Sequence, residues 1–102
     1  MMNRKMMKQA QEFQKNMTKI QQEIEELTVE SSVGGGVVKA SVSGKMELES
    51  ITISPEVIDS EDMDMVQDLI VAAVNEGLNK AKEIASEKMG GLTGGLKIPG
   101  LM

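Results

Sequence analysis

Apolar side chains recur every three or four residues along the first quarter of the chain. Successive apolar positions are separated by 4, 3, 4, 3, 4 and 3 residues, a repeat typical of a helix that packs along another helix. Gln, Lys and Glu fill most of the positions between them, and no Gly or Pro occurs before Gly34. We therefore predict a helix from about Asn3 to Leu27. Its apolar seam consists of Met6, Ala10, Phe13, Met17, Ile20, Ile24 and Leu27.

The length of this helix has a consequence for the shape of the molecule. At 1.5 Å per residue the helix is about 37 Å long. A compact chain of 102 residues has a radius of gyration of only about 13 Å. We therefore expect the helix to project from the body of the protein or to lie along a partner.

Alternation of apolar and polar residues then predicts strands. It begins with Leu27, Val29 and Val33 and is ended by the glycines at 34–36. Val38, Ala40 and Val42 alternate with polar residues, and Gly44-Lys45 is a plausible tight turn. In the next strand, Met46–Ser54, the apolar positions change parity. That change indicates either a β-bulge near Glu49-Ser50 or a strand covered on both faces.

A second helix is predicted between Pro55, which ends the last strand, and the glycine-rich C-terminus. An acidic run from Asp59 to Asp64 favours a helix start, because carboxylates stabilise the positive end of the helix dipole. The apolar pattern continues to about Met89 and covers a wider face than contact with one sheet requires. Gly77, in the middle, indicates close packing. Residues 90–102 contain Pro99 and five glycines, and we expect a flexible tail there.

The order of elements is α-β-β-β-α, an α+β fold with one domain over residues 1–89 and a tail over 90–102. Three strands and two helices on about 90 residues make a thin core. Two apolar helix faces also remain without an obvious partner in the chain. We therefore expect a homodimer that covers them.

Charge is divided unevenly along the chain, although the net charge is −5. Residues 1–22 carry five basic residues and one acid, a net +4, and the remaining residues carry −9. Such asymmetry indicates an anionic partner for the basic part. On a helical wheel, Arg4, Lys8, Lys15 and Lys19 fall within about 60° of each other, opposite the apolar seam. This basic stripe could follow a line of phosphates, or it could only keep the helix soluble.

Composition excludes several other functions. The chain has no Cys, His, Trp or Tyr, which removes disulfides, the commonest metal ligands and general base, and the best base-stacking side chains. The glycines at 34–36 lack a phosphate-loop pattern, and the acidic run lacks the ligand spacing of a calcium loop. The longest apolar run, Leu69–Val74, is too short to span a bilayer. We expect no catalytic residue, metal, cofactor, small-molecule substrate or membrane partner, and a cytoplasmic location.

Six segments, followed by the glycine-rich end, form an ordered set along the chain. The segments are Met7-Lys8-Gln9-Ala10-Gln11, Leu27-Thr28-Val29-Glu30, Gly34-Gly35-Gly36-Val37-Val38-Lys39, Ile53-Ser54-Pro55-Glu56-Val57, Asp68-Leu69-Ile70-Val71-Ala72-Ala73-Val74-Asn75 and Lys88-Met89-Gly90. Together they resemble one protein family, YbaB/EbfC, whose members are nucleoid-associated DNA-binding proteins of bacteria. The resemblance covers essentially the whole chain in order.

The resemblance implies a three-stranded antiparallel sheet and a tweezer-like homodimer whose long helices bind duplex DNA without catalysis. It also implies limited sequence preference and a role in nucleoid organisation and gene regulation. We expect phosphate contacts from the basic residues of the first helix, with polar neighbours as secondary contacts. The alternative is a protein-interaction adaptor that uses the Met-rich seam of this helix and does not bind DNA. The expected DNA-binding residues are Arg4, Lys5, Lys8, Lys15, Lys19, Asn3, Gln11 and Asn16.

Overall fold

The α-β-β-β-α order is confirmed by the structure, a computed structural model that describes residues 4–58 and 61–93. Two long helices enclose the three strands in the sequence, and a single short helix lies between the sheet and the last helix. The glycines at 34–36 form a 3₁₀ turn between the first two strands. The elements are α1 Arg4–Glu25, β1 Thr28–Val33, β2 Val38–Ser43, β3 Leu48–Ile53, α2 Pro55–Ile58 and α3 Met63–Thr93.

The strands form one antiparallel sheet in the order β1-β2-β3. Pairing between β2 and β3 is regular from Val38 to Ser41, which lies opposite Ser50. Val42 then lies opposite Leu48, so Glu49 is an extra residue on β3. The predicted β-bulge is therefore confirmed at this position, and it explains the change of parity in the apolar pattern.

The core lies between one face of the sheet and α3. Val38, Ala40 and Val42 of β2 are at most 2% exposed, and α3 covers them with the small residues Ala73 and Ala81. α3 lies over β1 and β2 and makes little contact with β3. Small residues on the helix allow its backbone to approach the sheet closely, so a thin core can still be tightly packed.

Gly77 lies where α3 packs closely on the sheet, as the sequence predicted. A Cβ at this position would lie 3.2 Å from Ser31 Oγ and 3.3 Å from Val42 Cγ1. Next to it, the buried Ser31 hydroxyl donates a 2.6 Å hydrogen bond to the carbonyl of Ala73. This bond satisfies a polar group within the core and fixes the position of α3 along β1.

α1 projects from the body in the way its length predicts. The molecule measures 71 × 26 × 17 Å, and its radius of gyration is 19.9 Å, against about 13 Å for a compact chain of this size. The inner half of α1 packs against the C-terminal part of α3. We call the projecting unit formed by α1 and the end of α3 the arm.

Several element boundaries differ from the sequence predictions. α1 ends at Glu25 rather than Leu27. The short helix α2, Pro55–Ile58, precedes the predicted acidic run. α3 begins late in that run, at Met63, because the Asp62 carboxylate accepts a hydrogen bond from Met65 N and caps the helix there. α3 continues through Gly90 and Gly91 to Thr93, past the predicted end at Met89. Residues 94–102 of the predicted tail lie outside the described residues.

Candidate nucleic-acid interface

The five cations predicted to bind DNA all lie on α1, and all five are exposed. Arg4, Lys8, Lys15 and Lys19 follow one side of the helix over about 22 Å, as a wheel of 100° per residue requires. None of the five lies within 4.0 Å of a carboxylate oxygen among the described residues. Both ion pairs in that part of the chain belong to lysines of α3. The basic stripe therefore presents charge that internal pairing does not neutralise.

The remaining predicted site residues divide into two groups. Gln11 and Asn16 are exposed on α1, and Asn16 borders a shallow concavity with Lys15 and Lys19. An amide between two ammonium groups can donate a hydrogen bond to an oxygen that both lysines attract. Asn3 lies outside the described residues.

α3 contributes a further lysine to the arm that sequence reasoning missed. Lys88 Nζ lies 3.9 Å from Glu23 Oε2 of α1, and the two side chains are 36% and 46% exposed. A groove between the helices is lined by Asn16, Lys19, Ile20, Glu23, Lys88 and Gly91. Only the antiparallel packing of α3 on α1 brings Lys88 beside Lys19. The apolar pattern of α3 indicated that this helix packs against something, but it does not show which part of α1 the helix covers.

The rest of the molecule has the opposite charge. The first turn of α3 carries Asp64, the exposed surface of β3 carries Glu49, and the last turn of α1 carries Glu25. These carboxylates are exposed and would repel a polyanion from the body. Excess positive charge is therefore concentrated on α1 outside its last turn.

One side of the body carries apolar side chains that stay exposed among the described residues. Val71 of α3 is 57% exposed and Leu48 of β3 is 46% exposed. Ile51 and Ile53 of β3 and Ile70 of α3 border the same core cluster and remain partly exposed. These side chains lie where α3 leaves β3 largely uncovered. We call this set the body face: Leu48, Ile51, Ile53, Ile70 and Val71.

Two further features are absent from the described residues. No helix within them combines the length and the apolar character needed to cross a membrane. No group of three or more acidic side chains there is arranged to hold a metal ion.

Comparisons with known proteins agree with the resemblance noted in the sequence. The YbaB/EbfC DNA-binding family matches residues 1–96. A nucleoid-associated protein of Pelotomaculum thermopropionicum is 55% identical over 97 residues, which cover 95% of this chain and 92% of that protein. One from Alkaliphilus metalliredigens is 56% identical over 96 residues, 94% of this chain and 84% of its own.

A solved structure supports the fold. The crystal structure of an uncharacterized protein from Helicobacter pylori matches with a TM-score of 0.62 at 23% identity. The match covers 76% of this chain and 90% of that one.

Proposed function

This chain belongs to the YbaB/EbfC DNA-binding family, and from that premise we propose that its arm holds duplex DNA through phosphate contacts made by α1. The observation that carries the proposal is the basic stripe, Arg4, Lys8, Lys15 and Lys19, exposed along one side of a projecting helix. Like charges at i and i+4 destabilise a helix by a few tenths of a kcal/mol, and a bound polyanion removes that cost.

The chemistry of the stripe favours contact with the DNA backbone over reading of bases. Lysine ammonium groups bind phosphate as point charges, and they carry little sequence information. The chain has no Trp or Tyr, and its one Phe, Phe13, lies half-buried in the apolar seam. Stacking on exposed bases is therefore not available to α1. We infer binding to duplex DNA with limited sequence preference and strong dependence on salt.

Lys88 extends the proposed interface from α1 to α3. Its ammonium group borders the same groove as Lys19 and Asn16. The Glu23 carboxylate attracts this ammonium group to that side of the arm, and the Lys88 side chain is still more than a third exposed. A phosphate at the groove would meet Lys19 and Lys88 but also the Glu23 carboxylate, so Lys88 adds less attraction than an unpaired lysine of the stripe.

We propose that the protein acts as a homodimer through the body face. Val71 and Leu48 are exposed apolar side chains, and a second copy placed on them would remove this apolar surface from water. A two-fold axis would give the molecule two arms, and therefore two basic stripes on one duplex. Doubling the number of phosphate contacts would offset the modest charge of each arm.

The proposed activity is binding without chemistry, at the nucleoid. The relatives are named nucleoid-associated proteins, and the charge distribution suits association with chromosomal DNA along the arms. The adaptor hypothesis is weaker than the sequence suggested, because α3 occupies the inner half of the seam that a partner would grip.

The experiment compares two variants that lose the same charge. Lys8→Ala/Lys15→Ala/Lys19→Ala removes most of the stripe, and Lys39→Ala/Lys45→Ala/Lys82→Ala removes three exposed lysines elsewhere. Fluorescence anisotropy with a labelled duplex should show binding at least about tenfold weaker for the first variant and nearly unchanged for the second. Equal loss in both variants would show that net charge, not the arm, determines binding. No binding by the wild-type protein would favour the adaptor.

A further inference from the structure

The apolar seam of α1 extends further along the helix than the described part of α3 does. Glu23 lies beside Lys88, and Gly91 shares a groove with residues as far out as Asn16. The described part of α3 extends two residues past Gly91, to Thr93. The part of α1 from Asn16 to Arg4 therefore extends about 18 Å beyond the groove that the two helices share. Four seam residues occupy this outer region or its border, and we call them the arm-tip seam: Met6, Ala10, Phe13 and Met17.

Burial changes along the helix in agreement with this geometry. Every residue from 4 to 12 is exposed, including Ala10, and Met6 is 51% exposed. Phe13 and Met17 are half-buried within one chain. The heptad-like spacing continues unbroken through this exposed part, and such spacing is stable in water when a second helix packs against it.

The charges around the arm-tip seam show which partner fits. The flanking positions hold Met7, Gln9, Gln14 and Asn16, none of which is charged. The lysines of the stripe lie on the opposite side of the helix, at about 160–180° from the seam for Lys8 and Lys15. Two identical helices can therefore meet along this seam without bringing like charges together. Closer to the body along α1, one flanking position holds the charged Glu23, and Lys88 of α3 pairs with it.

We propose that the arm-tip seam binds the arm-tip seam of a second copy, antiparallel, and so joins separate dimers. In an antiparallel pair centred on this seam, Met6 lies opposite Met17 and Ala10 lies opposite Phe13. The small Ala10 leaves room for the large Phe13 of the other copy, as interdigitated helix packing requires. Antiparallel packing also keeps the two bodies at opposite ends.

The pairing would give the protein a second activity, because both basic stripes face away from the seam. Two arms paired in this way would present lysines on opposite outer sides and could hold two duplexes at once. This bridging depends on the proposed DNA binding, whereas the pairing itself does not. The two can therefore be tested separately.

The first test is sedimentation velocity without DNA, over about a hundredfold range of concentration. Ala10→Gln replaces an exposed residue with a good helix former, so the fold and the charge are retained. We expect the wild-type protein to form species larger than a dimer as concentration rises, and Ala10→Gln and Phe13→Gln to form them at least about tenfold more weakly. The control Thr18→Ala, exposed beside the seam, should assemble like wild type. Identical assembly of wild type and Ala10→Gln would overturn the proposal.

A further variant tests whether the chain's own C-terminal residues occupy the seam instead. Leu96→Ser/Ile98→Ser/Leu101→Ser removes apolar side chains that follow α3. We expect no change in assembly. Assembly that appears only in this variant would assign the seam to residues 94–102 and overturn pairing between copies.

The second test measures bridging with one immobilised duplex and one labelled duplex. Wild type should retain the labelled duplex, and Ala10→Gln should retain several-fold less while binding a single duplex with unchanged affinity. Equal retention by the two proteins would contradict bridging through this seam. If wild type binds no duplex at all, the proposed DNA binding fails, and the sedimentation result still decides the pairing.

Discussion

Gly44 lies directly against the backbone carbonyl of Ile24, so the tight turn after β2 supports the last turn of α1. A Cβ at Gly44 would overlap the Ile24 carbonyl oxygen, and Gly44 N donates a 3.1 Å hydrogen bond to the carbonyl of Leu27. The contact joins the sheet to the arm at the point where α1 leaves the body. It therefore helps to set the direction in which the basic stripe projects.

Substitution of this glycine should move or loosen the arm. Gly44→Ala introduces a clash with backbone that no side-chain rotation can relieve, and we expect a loss of roughly 2–3 kcal/mol in the free energy of unfolding. Gly91→Ala is the control, because a Cβ there meets nothing within 4 Å and lies in a helix. It should stabilise by up to about 1 kcal/mol. Urea denaturation measures both, and an unchanged midpoint for Gly44→Ala would contradict the close contact.

The buried hydrogen bond from Ser31 should contribute measurably to stability. Ser31→Ala removes the donor, but its acceptor, the carbonyl of Ala73, lies inside α3, where it also accepts the backbone bond of the helix. We therefore expect a loss of about 1 kcal/mol, not the larger cost of an unsatisfied buried group. Ser32→Ala, on the exposed side of the same strand, should change stability by less than about 0.5 kcal/mol. Equal effects of the two substitutions in thermal unfolding would show that the buried bond is not stabilising.

Met46 ends the tight turn in a left-handed conformation, with φ of 64°, and its side chain packs against the core. Met46→Ala and Met46→Gly both remove that packing, but only glycine removes the backbone strain. We expect the glycine variant to be about 1 kcal/mol more stable than the alanine variant. Chemical denaturation of this pair measures the strain directly. A more stable alanine variant would mean that the residue does not adopt positive φ in solution.

A charge placed on the body face should prevent dimerisation. Val71→Asp puts a carboxylate at the centre of the exposed apolar surface of α3, and burying it without a partner costs several kcal/mol. At micromolar concentration we expect this variant to sediment as a monomer and to unfold at a temperature that no longer depends on concentration. Asn79→Asp introduces the same charge at an exposed position about 12 Å further along α3 and should leave the dimer intact. A Val71→Asp protein that still dimerises would place the interface elsewhere.

Sequence periodicity predicted a helix or strand well where a single packing contact sets its apolar pattern. The apolar seam predicted α1, and the parity change in β3 predicted the bulge at Glu49. The end of α3 was predicted too early, because glycine is a weak helix former but remains helical when the chain beside it supports the helix. Gly91 borders the groove between α3 and α1, and no local pattern in the sequence shows that groove.

For the candidate site too, the sequence shows which residues share one helix face but not which residues meet through tertiary contacts. The spacing of the four stripe residues places them on one face of α1, and a helical wheel drawn from the sequence shows this. They are Arg4, Lys8, Lys15 and Lys19. Lys88 joins them only through the contact between α1 and α3, so its position had to come from the structure. The body face combines β3 with α3, and the sequence indicated a covered helix face without showing which strand borders it.

The central claim is that phosphates bind along the basic stripe of α1, and the salt dependence of duplex binding tests it most directly. Affinity is measured from about 50 to about 300 mM salt for wild type and for Lys8→Ala/Lys15→Ala/Lys19→Ala. The slope of log K against log salt should become shallower in the variant, by about 0.9 for each phosphate that the variant no longer neutralises. Equal slopes for the two proteins, with DNA still bound, would contradict the claim, because they would mean that the phosphates lie elsewhere on the molecule.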